Sequence, residues 1–182
     1  MRIGKWIAVI AMAASSIGEV VCADAQVAKS TTDTGPAFSL SLSAKQAQVK
    51  VGESIQLVVS LKNTSKKLIY VGKEHHKSGK VDYGYHVIAL DDGGNMPTKT
   101  RYYRYMMGES LPDGLMNDVI NEVGGRIEFL PLQPGESIES DVNVMRFYNI
   151  ELPGKYEIWV ELYDDQSKIR VKSNTITVTV TP

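Results

Sequence analysis

One cysteine, three histidines and almost no net charge leave this sequence of 182 residues poor in the side chains on which most catalysis and nucleic-acid recognition depend. Lysine and arginine number 20 against 21 aspartates and glutamates, a formal charge of −1. Nucleic-acid-binding domains concentrate basic residues on one surface, and no such excess is present here. The densest basic spots, Lys66-Lys67 and the stretch Lys73 to Lys80, read as solvated turns. There is no Gly-x-Ser-x-Gly elbow, no phosphate-binding glycine loop, and no histidine in a base-and-orienter arrangement, so no catalytic residue is assigned and no cofactor is expected. With 43% apolar and 23% charged residues the chain has the composition of an ordinary soluble globular protein.

The first 23 residues supply the clearest functional signal. Arg2 and Lys5 precede an apolar run from Trp6 to about Ile17, followed by small residues near Ala23, where Val21-Cys22-Ala23 offers a cleavage site. This is the pattern of a secretory signal peptide, expected over 1–23. The run is short for a bilayer span, so no membrane-spanning segment is expected after its removal. Cys22 invites comparison with lipidated bacterial leaders. Val21 is bulky where that processing prefers a small side chain, and cleavage after Ala23 is the preferred reading. The mature chain would then carry no cysteine, hence no disulfide, thiol nucleophile or thiolate ligand. Loss of Arg2, Lys5 and Glu19 takes the formal charge to −2. The expected location is periplasmic or extracellular.

Residues 24–36 are small and polar and read as a flexible linker. From 37 to 182 a period of two prevails. Phe38, Leu40 and Leu42 alternate with serines; Ile55, Leu57, Val59 and Leu61 follow, then Leu68 to Val71. Tyr83, Tyr85, Val87 and Ala89 come next, then Ile127 to Leu132, and Ile138, Val142 and Val144. Tyr156, Ile158, Val160 and Leu162 and finally Ile176, Val178 and Val180 complete the set. Turn signals separate them, at Val51-Gly52-Glu53, Asp91-Asp92-Gly93-Gly94 and Gln133-Pro134-Gly135-Glu136. The paired carboxylates at Asp91-Asp92 and Asp164-Asp165 are better explained by turns than by a calcium loop or a glycosidase pair.

In Leu152-Pro153-Gly154-Lys155-Tyr156 a tyrosine follows a Pro-Gly turn that opens a strong strand. Gly154 and Tyr156 resemble the tyrosine corner of immunoglobulin-like sandwiches, in which the phenol ties back to nearby backbone. With Val51-Gly52-Glu53, Leu61-Lys62-Asn63 and Lys172-Ser173-Asn174-Thr175-Ile176, the chain resembles exported bacterial immunoglobulin-like domains over roughly 40–61 and 132–180. A fainter similarity runs to a sandwich-type bacterial proteinase-inhibitor domain, with no matching reactive-site motif. The resemblance implies an all-β, antiparallel immunoglobulin-like sandwich of about seven to nine strands, with a long irregular insertion in the middle. It implies a fold and no activity.

The middle stretch from Lys73 to Gly125 is where function is sought, since long loops carry it in such folds. Arg101, Tyr102, Tyr103, Arg104 and Tyr105, followed by Met106 and Met107, read either as a strand with one aromatic face in the core or as a partner-binding surface. Residues 112–123 fit a short helix ended by Gly124-Gly125, serving as a connector or as a lid over the tyrosines. His75, His76 and His86 form the one candidate metal cluster. Adjacent histidines on an extended chain point to opposite faces, the spacing matches no zinc motif, and the methionines suited to copper(I) at 96, 106 and 107 bear no spacing relation to them. Solvated loop histidines are the simpler reading. Asn63-Thr64-Ser65 spells a glycosylation sequon and also a turn. The functional expectation is a non-enzymatic exported module that contacts a protein or glycan of the cell envelope through its middle loops. A proteinase inhibitor and a periplasmic metal-binding protein stand as alternatives.

Overall fold

Backbone alternation along the chain resolves, in a computed structural model that describes residues 35–112, 119 and 125–182, into a sandwich of two antiparallel layers with a β-ribbon attached. The leader expected over 1–23, nearly all of the linker expected over 24–36, and all but two residues of the helix expected over 112–123 lie outside the described residues.

The first layer orders β1 (Phe38–Ala44), β3 (Gln56–Asn63) and β9 (Ser137–Asn143), with β3 central. Leu40 faces Leu61 and Leu42 faces Val59 across the β1–β3 ladder. Leu57, Val59 and Leu61 are completely buried. Each such side chain contributes about 1.5–3 kcal/mol on leaving water, which is why the alternation in the sequence fixes the register: a slip of one residue would turn this whole set toward solvent.

The second layer is built on β11 (Gly154–Asp164). One flank of β11 pairs with β6 (His86–Leu90). The other pairs with β12 (Ile169–Lys172) and then β13 (Ile176–Thr181), whose outer edge takes β2 (Gln48–Lys50) in parallel. Glu161 opposes Lys172 while Ile158 opposes Ile176, so one extra residue bulges out between β12 and β13. Ser173 fills the gap. Its backbone N–H donates to Val160 O at 2.9 Å and its hydroxyl accepts from Val160 N–H at 3.1 Å. The next residue crosses to the other layer, where the Asn174 side chain accepts from Leu42 N–H at 2.8 Å and donates to Leu42 O at 2.9 Å, as a neighbouring strand would. Val87, Ile158, Val160 and Val178, all fully buried, close the core against the first layer.

The Tyr156 hydroxyl donates to Leu152 O at 2.8 Å, closing the corner ahead of β11. Elsewhere the chain departs from simple alternation. Tyr83 and Tyr85 precede β6 instead of forming part of it, because Gly84 adopts φ +70° and donates its N–H to Asp82 Oδ1 at 2.9 Å, making a turn. Val144 opens a short 3-10 turn, Val144–Arg146, capped by the Asn143 side chain, which accepts from Met145 N–H. The aromatic run expected as a strand is a helix, α1 (Arg101–Met106). Thr100 caps it, accepting from Tyr103 N–H and donating to Arg146 O at 2.6 Å, and Gly108 at φ +72° follows its end. The middle stretch is also less of an insertion than its irregular pattern implies. It supplies β6 to the main sheet, β7 (Thr98–Lys99), which pairs with β10 (Tyr148–Asn149), and the outer end of the attached ribbon.

Candidate functional site

That ribbon consists of β4 (Ile69–His76) and β8 (Gly125–Leu132), paired over their whole lengths, with the two-residue β5 (Val81–Asp82) beside β4. At its base Ile69, Val71 and Leu132 are buried and root it in the core. Beyond them β8 is exposed along nearly its full length. Register places Tyr70 opposite Pro131, Gly72 opposite Phe129 and Glu74 opposite Ile127, all on one face. On that face Tyr70 is 64% exposed, Ile127 57% and Phe129 65%. Gly72 has no side chain to separate them, and the Ile127 and Phe129 side chains lean over it to within 3.8 and 3.9 Å of where a Cβ would stand. Between this face and the β11–β12 hairpin runs a groove of about 310 Å³, walled by Tyr70, Ile127 and Phe129 on one side and Tyr163 and Asp165 on the other, with Tyr83 also lining it. Beyond its buried base the opposite face is polar: His75 Nε2 lies 2.8 Å from Glu128 Oε2, and that contact holds the Glu128 carboxyl below its ordinary range. Among the described residues β8 pairs only with β4, so its other edge is open.

A second cleft, of about 430 Å³, has its charged lining around Asp82 and Arg146. Asp82 Oδ2 accepts from the Tyr102 hydroxyl at 2.6 Å and from Arg146 Nη1 at 3.2 Å, and the Arg146 guanidinium stacks 4.0 Å from the centre of the Tyr102 ring. Arg146 Nε and Nη2 are buried and have no hydrogen-bond partner among the described residues. Burial, reinforced by the Asp82 carboxylate, pushes the Tyr102 phenol far above its ordinary pKa. Tyr85, buried beside the same cleft, is pushed up to about 12, chiefly by desolvation. These groups stay neutral near pH 7. The Asp82 carboxylate thus faces one cation and one phenol held neutral near pH 7, which compensates its charge at the edge of the core.

The five residues singled out at 101–105 divide by helix face. Tyr102 and Tyr103 are core side chains; the Tyr103 hydroxyl donates to Val87 O at 2.8 Å, sharing that carbonyl with Tyr148 at 2.9 Å, and both phenols titrate above their ordinary range, mainly through burial. Arg101 is exposed, and Arg104 and Tyr105 are half-buried. Arg104 Nε and Lys99 Nζ both bind Glu109, at 3.1 and 2.6 Å. The histidines are not brought together: His75 sits on the polar ribbon face, His76 is buried against the edge of the Tyr102 ring, and His86 lies on β6. No three His, Cys, Asp or Glu side chains converge on a metal position among the described residues. Asn63 is fully buried, its amide donating to Lys67 O and Leu132 O, both at 2.8 Å, so in the folded chain the sequon is a structural turn. Sequence reasoning passed over Tyr70, Ile127 and Phe129 as ordinary strand positions. The available signal was that both faces of Ile127-Glu128-Phe129-Leu130 could not be core if Glu128 was solvated.

No helix among the described residues is long and apolar enough to cross a membrane. The sequence matches no protein-family model and no curated protein. Among solved structures it is similar to the CARDB domain of the PF1109 protein from Pyrococcus furiosus, at 13% identity and a TM-score of 0.43, covering 80% of this chain and 89% of that one. It is also similar to a β-glucosidase from Listeria innocua, at 15% identity and a TM-score of 0.39, over 81% of this chain and only 16% of the enzyme. An alkylpurine DNA glycosylase from Pseudomonas fluorescens gives 11% identity and a TM-score of 0.39, over 82% of this chain and 32% of that one. Likenesses at this level carry no activity across, and the proteinase-inhibitor similarity gains nothing from them.

Proposed function

We propose that this chain is an exported binding module without catalytic activity of its own, and that it engages a protein partner through the β4–β8 ribbon. The observation that carries the reading is the apolar face of Tyr70, Ile127 and Phe129, more than half exposed at each position on a ribbon whose outer strand edge is unpaired among the described residues. Three large apolar side chains on one face form a contiguous patch, the kind of surface soluble proteins keep for contacts. An open strand edge adds a row of backbone donors and acceptors. Together they favour an extended apolar segment of a protein, which would add a strand to β8 and seat its side chains in the adjoining groove. A glycan fits less well. Sugar recognition sets polar groups close around an aromatic ring, whereas those of this groove, such as Tyr163 and Asp165, stand on the wall opposite Phe129 and Ile127. Export rests on the leader pattern in the sequence.

The test is a photo-crosslinking amino acid placed at 129, at 70 and, as a control, at Leu152, which is 70% exposed far along the chain from the ribbon. In the native envelope the first two positions are expected to give one discrete protein adduct and position 152 none. No adduct from 129, or the same adducts from all three positions, would remove the ribbon as the contact surface.

A further inference from the structure

Away from the ribbon, folding brings together residue types that the sequence keeps apart. His86 starts β6, Met96 follows the turn after it, and Met107 stands directly after α1, yet all three line a single cleft of about 220 Å³. His86 and Met107 also line the small adjoining cleft in which Met106 takes part. Met96 is 54% exposed and Met107 42%, so neither is serving as core filler. The geometry points to a site for a soft monovalent cation, Cu(I), held by the His86 imidazole and the Met96 and Met107 thioethers.

The chemistry of the donors selects the ion. Thioether sulfur is neutral and polarisable, binds Cu(I) and Ag(I), and is a poor ligand for Mg(II), Ca(II) or Zn(II). The charged lining acts in the same direction. Lys99 and Arg170 border the cleft, and its one carboxylate, Glu161, is engaged by the Trp159 indole N–H at 3.1 Å, while Lys99 is paired to Glu109 at 2.6 Å. A divalent ion that needs several anionic oxygens would find two cations and a single carboxylate. A monovalent ion held by neutral sulfur and nitrogen has far less to overcome. No hydrogen bond among the described residues occupies the ring nitrogens of His86, which faces Glu161 across the β6–β11 ladder at the wall of the cleft. Methionine side chains have three rotatable bonds, so both thioethers can reorient within the cleft.

The experiment uses the full chain with Cys22→Ser, which removes the competing thiol, and with methyl-13C methionine, which gives each of the seven methionines its own signal. Ag(I) serves as a redox-inert probe. The Met96 and Met107 methyl resonances are expected to move together and to saturate at one equivalent, while Met145, which lines the Asp82 cleft, stays in place. Equal Zn(II) is expected to move neither. His86→Gln should weaken Ag(I) binding at those two methyls by roughly tenfold or more. Met96→Leu, a volume-conserving swap that folded proteins tolerate well, should weaken binding at Met107 to the same extent without unfolding the protein. Stationary Met96 and Met107 signals, an equal response to Zn(II), or an unchanged affinity in both variants would overturn the site.

Discussion

Removing one charge from the buried pair at Asp82 and Arg146 should cost more than any single hydrogen bond in the molecule. Their side chains are 6% and 13% exposed, and the Asp82 carboxylate accepts from Gly84 N–H, the Tyr102 hydroxyl and Arg146 Nη1. Arg146→Met keeps most of the aliphatic stem over the Tyr102 ring and deletes the guanidinium, leaving an anion uncompensated at the edge of the core. Stranding a buried charge costs about 3–5 kcal/mol, and the residual exposure places this case near the lower figure, about 3 kcal/mol. Asp82→Asn strands the cation instead and should cost a similar amount. The double variant restores neutrality while the carboxamide oxygen introduced by Asp82→Asn still accepts from Tyr102, so its loss should be close to that of either single variant, a coupling of about 3 kcal/mol. In a protein of this size a loss of that order lowers Tm by about 10 °C. Urea unfolding of the four proteins, with the slope held common, measures the cycle. Single losses that simply add in the double variant would refute the reasoning, because the two groups would then act independently.

Other outcomes follow from the same packing. Tyr156→Phe, which deletes only the hydroxyl that donates to Leu152 O, should lower stability by about 1 kcal/mol in urea melts with no change of fold by circular dichroism. Asn63→Ala leaves the Leu132 and Lys67 carbonyls without their donor and opens space in the core, and about 3 kcal/mol should be lost in the same assay. Phe129→Ser, at a position 65% exposed, should change stability by no more than about 0.5 kcal/mol while abolishing the crosslinked adduct formed from position 70. Tyr85 ionises near pH 10 when unfolded and is pushed up to about 12 when folded, and Tyr102 and Tyr103 are raised too. The unfolded chain therefore releases phenol protons first, so these tyrosines add no pH dependence near neutrality, and stability should fall steeply between pH 10 and 12, followed by phenolate absorbance.

Strand positions were legible wherever one face is buried, since Leu40-x-Leu42 and Leu57-x-Val59-x-Leu61 leave little choice of register. The Pro-Gly-x-Tyr corner was legible because its hydrogen bond is local, between residues 156 and 152. Helix α1 was obscured by composition: three tyrosines favour strands, and six residues are too few for a helical period to emerge. Its ends were marked nonetheless, by Thr100 as cap and Gly108 beyond the last turn. The groups that meet across long separations were not readable. Asp82 and Arg146 are 64 residues apart, and His86 and Met107 come to line one cleft with Met96 where α1 packs through Tyr103 against Val87 of β6. Residue types in a sequence announce a chemistry, and only the fold decides whether they share a site.

The side chain of Asn174 bears on how this protein avoids precipitating. Two outward-facing donors at the start of the first layer, Leu42 N–H and Ala37 N–H, are already taken, by the Asn174 amide at 2.8 Å and the Asp164 carboxylate at 2.8 Å. A second molecule approaching that edge in a concentrated solution finds two of its donors already engaged, which weakens the edge as a template for strand pairing. Pairing capacity is thus withdrawn from β1 while β8 keeps its own, with Glu128 and Pro131 along it to discourage stacking of identical copies. Replacing Asn174 by an apolar residue would therefore trade little cohesion within one molecule for a large rise in self-association, with turbidity appearing before any loss of structure.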